Sequence, residues 1–103
     1  EGFPLTGENC TENMFLIQKY MVENTRLGIP IFTVAESLHG AVHEGSTIYP
    51  QNIALGSTFN LDLAYRKAAM IAQDLHAKGI YQVLAPCVDV VRDLRWGRVE
   101  ESY

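Results

Sequence analysis

Cysteine is scarce in this chain: Cys10 and Cys87 are the only two. Two such thiols make neither a disulfide framework nor a metal-type pair, and both read as buried or half-buried side chains. Basic runs are absent too. No stretch of five or more Lys and Arg residues occurs and the net charge is -4, which argues against a nucleic-acid-binding surface. No apolar run approaches the roughly 20 residues that cross a bilayer, so no membrane partner is expected. Glu1-Gly2-Phe3-Pro4-Leu5 has neither a charged n-region nor an apolar h-region, so no signal peptide is read there. The chain also starts without Met, which points to a processed form or an excised piece. Internal repeats, low-complexity tracts and linkers are missing. What is present is ordinary for a soluble globular protein: 103 residues, 48% hydrophobic and 19% charged, enough for one small domain with a core.

Asn9-Cys10-Thr11-Glu12 reads as a helix start, with Asn9 as N-cap and Glu12 where a capping box places its acid. The same residues match a glycosylation sequon, a weak three-residue pattern. Residues 14–26 then carry Met14, Ile17 and Met21 on one stripe, flanked by Phe15 and Val22, until Gly28 and Pro30 stop the helix. Residues 29–35 are short, apolar and β-branched, as in a buried strand. After a loop with Gly40, Gly45 and Pro50, residues 50–55 suit a short helix. Asn60 caps the clearest helix. Leu61, Ala64, Tyr65, Ala68, Ile71, Ala72 and Leu75 share one face, with Asp62, Arg66, Lys67, Gln73 and Asp74 largely elsewhere and Leu63 and Met70 off the stripe. Lys78-Gly79 ends it, and residues 81–88 form a second apolar strand.

The order is therefore helix, strand, helix, strand, with both strands apolar on both faces. That pattern predicts an α/β arrangement of parallel strands, covered by helices and joined by a right-handed crossover. Sheets of this kind commonly hold about five or more strands, so the chain reads as part of a larger domain.

Two polar clusters follow the strands. Residues 89–102 hold three guanidinium groups, four carboxylates, Trp96 and Gly97 directly after an apolar run. Such a segment either grips a polyhydroxylated ligand, with Arg and carboxylates on hydroxyls and Trp under a ring, or forms a surface ion-pair network that holds its own loop. In parallel α/β folds ligands sit at the carboxyl ends of strands, where both clusters fall, and this favours the ligand reading. Glu36, directly after the first strand, suits ligand hydroxyls better than acid/base work or capping of the turn at Ser37 to Gly40. Arg98 has the best claim on a ligand among the arginines, because Gly97 lets the backbone fold tightly before it. Arg92 and Arg95 suit internal pairing with Asp89, Asp93, Glu100 or Glu101.

Other chemistries fit less well. His39 and His43 are four apart, but the His-Glu pair of the zinc-protease motif is missing and Gly40 disfavours a regular helix, so no metal is expected. His39 suits a hydrogen-bonding or packing role and His43 an exposed one. Ser37 lacks a nucleophile elbow, and the Gly45 and Gly56 segments lack the spacing of a phosphate loop.

Four segments together carry a family resemblance: Arg26-Leu27-Gly28-Ile29-Pro30; Glu36-Ser37-Leu38-His39-Gly40; Tyr49-Pro50-Gln51 with Ile53-Ala54-Leu55-Gly56-Ser57-Thr58; and Ala85-Pro86-Cys87-Val88-Asp89-Val90 through Arg92-Asp93-Leu94-Arg95-Trp96-Gly97-Arg98. In this order and spacing the chain resembles the N-terminal domain of glycoside hydrolase family 3, especially β-glucosidase and β-xylosidase members. The resemblance implies that residues 1–103 are a piece of one such domain, a partial (β/α)8 TIM-type barrel. It also implies retaining hydrolysis of terminal β-linked sugars through a glycosyl–enzyme intermediate, without a cofactor. Glu36 and Arg98 then contact the non-reducing-end sugar, and His39, Asp89, Arg92, Asp93 and Trp96 support the loops. Many members carry Asp where Glu36 stands, and Pro is commoner at Leu94. The family's Lys-His pair, nucleophilic Asp and general acid/base all lie beyond Tyr103. The implied partners are a β-linked glucoside or xyloside oligosaccharide and the rest of a parent chain, with the parent placed in the periplasm or outside the cell. The alternative from another class is a non-catalytic sugar-binding α/β module.

Overall fold

The computed structural model describes residues 9–103. Residues 1–8, including the segment weighed as a signal peptide, lie outside the described residues. In chain order the elements are α1 (Cys10–Asn24), β1 (Val34–Ala35), α2 (Asn52–Gly56), α3 (Leu61–Ala77), β2 (Gln82–Val83) and a 3-10 turn (Val99–Glu101). β1 and β2 pair in parallel, Val34 opposite Gln82 and Ala35 opposite Val83. The expected α/β order with a parallel pair is therefore present.

α3 shows how local chemistry sets an element. At its start the Asn60 Oδ1 accepts from the Leu63 N–H at 3.0 Å, satisfying one of the donors that a first turn leaves unpaired. At its end Gly79 adopts φ +75°. The Gly79 N–H donates to His76 O and the Ile80 N–H to Leu75 O, both at 3.0 Å, which is the Schellman arrangement. This turn brings Ile80 back onto Leu75. Both join Ile71 and Ala41 in the buried core, with Ala35, Tyr49 and Val83 packed around them.

α1 begins at the expected place, but the expected capping box does not form. Asn9 keeps helical dihedrals (φ -110°, ψ -2°), and its side chain makes no capping bond. A capping side chain reaches back to the first-turn N–H groups from extended backbone, which Asn9 does not adopt. Met14, Ile17 and Met21 are half-buried, while Phe15 and Val22 are exposed. α1 lies against the turn after α3: a Cβ on Gly79 would meet the Met14 Cβ at 3.3 Å.

Both strands are shorter than their apolar runs. Before β1, both main-chain groups of Ile31 are taken by the Gln18 side chain, at 2.9 and 2.7 Å, so Ile31 pairs with a helix side chain instead of a strand. The ladder proper begins at Thr33, whose carbonyl accepts from the Tyr81 and Gln82 N–H groups, and closes where the Leu84 N–H donates to Ala35 O at 3.0 Å. Nor are the strands covered on both faces, as their composition predicted. Phe32 is 68% exposed, and Ile29, Val34, Leu84 and Val88 also face outward. One face packs on the core cluster, and the other has no covering layer among the described residues.

Candidate functional site at the strand ends

Because β1 and β2 run in the same direction, their carboxyl ends lie on one side, and each feeds a polar segment. Glu36 directly follows β1. Its carboxylate is exposed and has no hydrogen bond among the described residues, so it does not cap the turn that follows. Ser37 is buried with its Oγ unpartnered, and no His or carboxylate reaches it. Its surroundings are not those of a nucleophilic hydroxyl.

His39 takes the hydrogen-bonding role expected of it. Its Nδ1 donates to Tyr49 O at 2.9 Å, since a carbonyl can only accept, and the Tyr49 N–H donates to His39 O at 2.7 Å. The ring thereby pins the 40s loop to the β1 end. His43, expected to be exposed, is half-buried. No group of three or more potential metal ligands occurs among the described residues.

The second segment partly obeys its expected pairing. Arg95 pairs with Asp93: Nε donates at 3.0 Å and a terminal nitrogen at 2.5 Å, while the Arg95 N–H also binds Asp93 Oδ1 at 2.9 Å. These bonds hold the Asp93 carboxyl below its ordinary value and raise Arg95. Asp89 does not pair with an arginine; its Oδ2 accepts from the Cys87 Sγ at 3.0 Å. Arg92 makes no side-chain hydrogen bond or ion pair among the described residues, contrary to its expected internal pairing. Of its expected partners, Asp93 is taken by Arg95, and one oxygen of Asp89 accepts from the Cys87 thiol. Asp89, Val90, Arg92, Asp93 and Trp96 line one shallow depression of about 190 Å³.

Arg98 is the other partly unexpected result. Its Nε and a terminal nitrogen both reach Glu101 Oε2, at 2.6 and 2.5 Å. The Glu101 side chain is 16% exposed against 56% for Arg98, so the acid is held in the protein and the guanidinium projects from it. The hydrogen bond and charge of Glu101 raise the Arg98 pKa, with Cys87 and Glu36 adding smaller contributions of the same sign.

Two residues behind this rim, Lys67 and Asn52, were not singled out from the sequence. Lys67 is buried in α3, its Nζ donating to Pro50 O at 3.0 Å and to Asn52 Oδ1 at 2.8 Å. Asn52, fully buried in α2, donates from Nδ2 to Glu101 O at 3.1 Å. Burial lowers the Lys67 pKa. Composition placed Lys67 off the apolar face, yet Lys67, Ile71 and Leu75 are the three buried residues of α3. Their four-residue spacing, one helix row, was the available signal.

Residues 5–103 match the family described as Glycosyl hydrolase family 3 N terminal domain. The chain is similar to a beta-xylosidase of Formosa agariphila, 40% identical over 86 residues that cover 78% of this chain and 12% of that protein. It is also similar to a putative beta-xylosidase of the same organism, 34% identical over 84% of this chain and 12% of that protein. A periplasmic beta-glucosidase of Salmonella typhimurium is 34% identical over 84% of this chain and 11% of that protein. The chain thus spans only 11–12% of the length of these relatives.

Proposed function

This chain belongs to glycosyl hydrolase family 3 as part of its N-terminal domain, and from that premise we propose that it supplies one wall of a sugar subsite in a retaining, exo-acting β-glycosidase. The parent enzyme hydrolyses terminal non-reducing β-linked glucose or xylose, and the described elements are part of a (β/α)8 barrel. The observation that carries this reading is the parallel pairing of the two strands, with a Glu36 carboxylate unpartnered among the described residues after one and a projecting Arg98 downstream of the other.

The chemistry fits a pyranose. A carboxylate is an acceptor only and takes hydroxyl hydrogens, whereas a guanidinium donates to hydroxyl oxygens. Opposite demands from one rim orient a ring that carries adjacent hydroxyls. Contacts of this kind that strengthen as the ring approaches an oxocarbenium-like geometry lower the barrier as well as hold the substrate. The Asp89, Arg92, Asp93 and Trp96 depression and the His39–Tyr49 link support the two loops.

Neither Glu36 nor any other acid here is assigned as nucleophile or general acid/base. A retaining mechanism needs two carboxyl groups about 5–5.5 Å apart flanking the bond, and both belong to the rest of the parent chain. The isolated 103 residues are therefore inactive. The beta-xylosidases and the periplasmic beta-glucosidase among the relatives support the glucoside or xyloside assignment and a parent outside the cytoplasm. A free-standing sugar-binding module is disfavoured by the uncovered apolar strand face, including Phe32 and Val34. The test is turnover of aryl β-glucoside and β-xyloside by the full-length parent, with the anomeric configuration of the first product followed by NMR. Retention with either sugar supports the reading. Inversion, or no turnover of either sugar, overturns it.

A further inference from the structure

A buried lysine without a carboxylate partner is a costly choice for a helix face. Lys67 is 8% exposed, lies between Ala64, Ala68 and Ile71, and donates only to neutral oxygens of Pro50 and Asn52. A Leu or Met at that place would suit the apolar surroundings and bring no charge to desolvate. What the ammonium does there is directional. It only donates, so it dictates which way the buried Asn52 amide faces: Oδ1 toward Lys67, and Nδ2 toward the Glu101 carbonyl.

A second contact seats the same helix on the same segment. A Cβ on Gly56 would come within 2.9 Å of the Tyr103 carbonyl carbon, so α2 approaches the main chain after the 3-10 turn at a distance only glycine allows. Asn52 and Gly56 thus fix the backbone on which Glu101 stands. Glu101 in turn binds two nitrogens of Arg98, leaving the Nη1 amino group with no partner among the described residues.

We infer that Asn52 and Lys67 are positioning residues for Arg98: they hold the Glu101 main chain so that the Glu101 carboxylate aims the guanidinium at the ligand. The inference rests on the reading of Arg98 as a sugar contact, and it assigns a role to two residues that touch no ligand.

The experiment is a double-mutant cycle in the full-length parent enzyme, read as kcat/KM on an aryl β-glycoside, with thermal midpoints measured alongside. Asn52→Asp keeps the shape and the Lys67 contact, but it turns the donor facing Glu101 O into an acceptor. Alone it lowers kcat/KM about tenfold, the loss expected when one buried hydrogen bond is replaced by a clash of acceptors. In an Arg98→Ala background the same change costs less than about twofold, because residues acting through one another are not additive. Equal losses in both backgrounds, or no loss in either, overturn the inference. If Asn52→Asp does not fold, Lys67→Met is carried through the same cycle with the same criterion. Arg98→Ala that leaves kcat/KM unchanged removes the sugar-contact reading itself and the positioning role with it. A damaging Arg98→Ala with additive Asn52→Asp removes only the positioning role.

Discussion

Arg98 meets Glu101 through a single carboxylate oxygen: Nε at 2.6 Å and a terminal nitrogen at 2.5 Å both converge on Oε2. The two residues are three apart across the 3-10 turn, and the acid is the better buried of the pair. An exposed ion pair of this kind contributes little to stability. Its consequence is geometric, because one edge of the guanidinium is occupied and the other faces out.

Replacing that acid separates aim from stability. Glu101→Gln in the full-length enzyme is expected to lower kcat/KM about three- to tenfold while shifting the thermal midpoint by no more than about 2 °C, since exposed pairs are worth at most about 1 kcal/mol. A large loss of stability with unchanged kinetics would show the pair to be a loop staple.

The rim residues themselves carry a larger expectation. If Glu36 and Arg98 bind the sugar as proposed, Glu36→Ala or Arg98→Ala removes charge-assisted hydroxyl contacts worth about 1.5–3 kcal/mol, and kcat/KM is expected to fall roughly 10- to 100-fold. The loss falls mainly in kcat if the contacts strengthen in the transition state. Steady-state kinetics on aryl β-glucoside and β-xyloside measures the split; unchanged kinetics in both variants would take these residues out of the subsite.

Gly79 tests the backbone logic of the fold. Its φ of +75° and the nearby Met14 Cβ leave no comfortable place for a side chain. Gly79→Ala is expected to destabilise the enzyme by about 1–2 kcal/mol, from left-handed backbone strain. Thermal unfolding of the variant checks this, and an unchanged midpoint would mean that the Schellman turn relaxes at no cost.

Acid should find Asp74. A hydrogen bond from Lys78, helped by smaller contributions that include the charge of His43, holds its carboxyl below the ordinary value of 3.8. A carboxyl with a lower pKa folded than unfolded binds fewer protons in the native state. Its stabilisation is therefore complete above the ordinary value and is lost as pH falls through the lowered one. Asp74→Asn should lower stability near neutral pH and flatten the acid limb of the stability–pH curve. A curve parallel to that of the wild type below pH 4 would contradict the assignment.

The helices and the glycine stop were legible because their signals are local. Asn60 before an apolar row, and Lys78-Gly79 after it, state where α3 begins and ends whatever surrounds it. The strand order was legible for a similar reason, since two apolar runs separated by a helix leave few alternatives to a parallel pair. Ladder length was not. It depends on what sits beside each strand, and Gln18 claiming the main chain of Ile31 is a contact thirteen residues away that no run of hydrophobicity announces.

The charged loop divides the same way. Composition alone established that residues 89–102 are poor core material, because the cost of burying unpaired charge does not depend on fold, and it left a ligand-gripping loop and a self-paired loop as the two alternatives. Which arginine pairs with which acid was decided by tertiary geometry. Arg95 turned onto Asp93, Cys87 took Asp89, and Glu101 took Arg98 once α2 had set the course of the 3-10 turn. Lys67 makes the point most sharply: a charge read as lying off the apolar face is buried, where Pro50 and Asn52, from the start of α2 and the residues just before it, offer it oxygen partners.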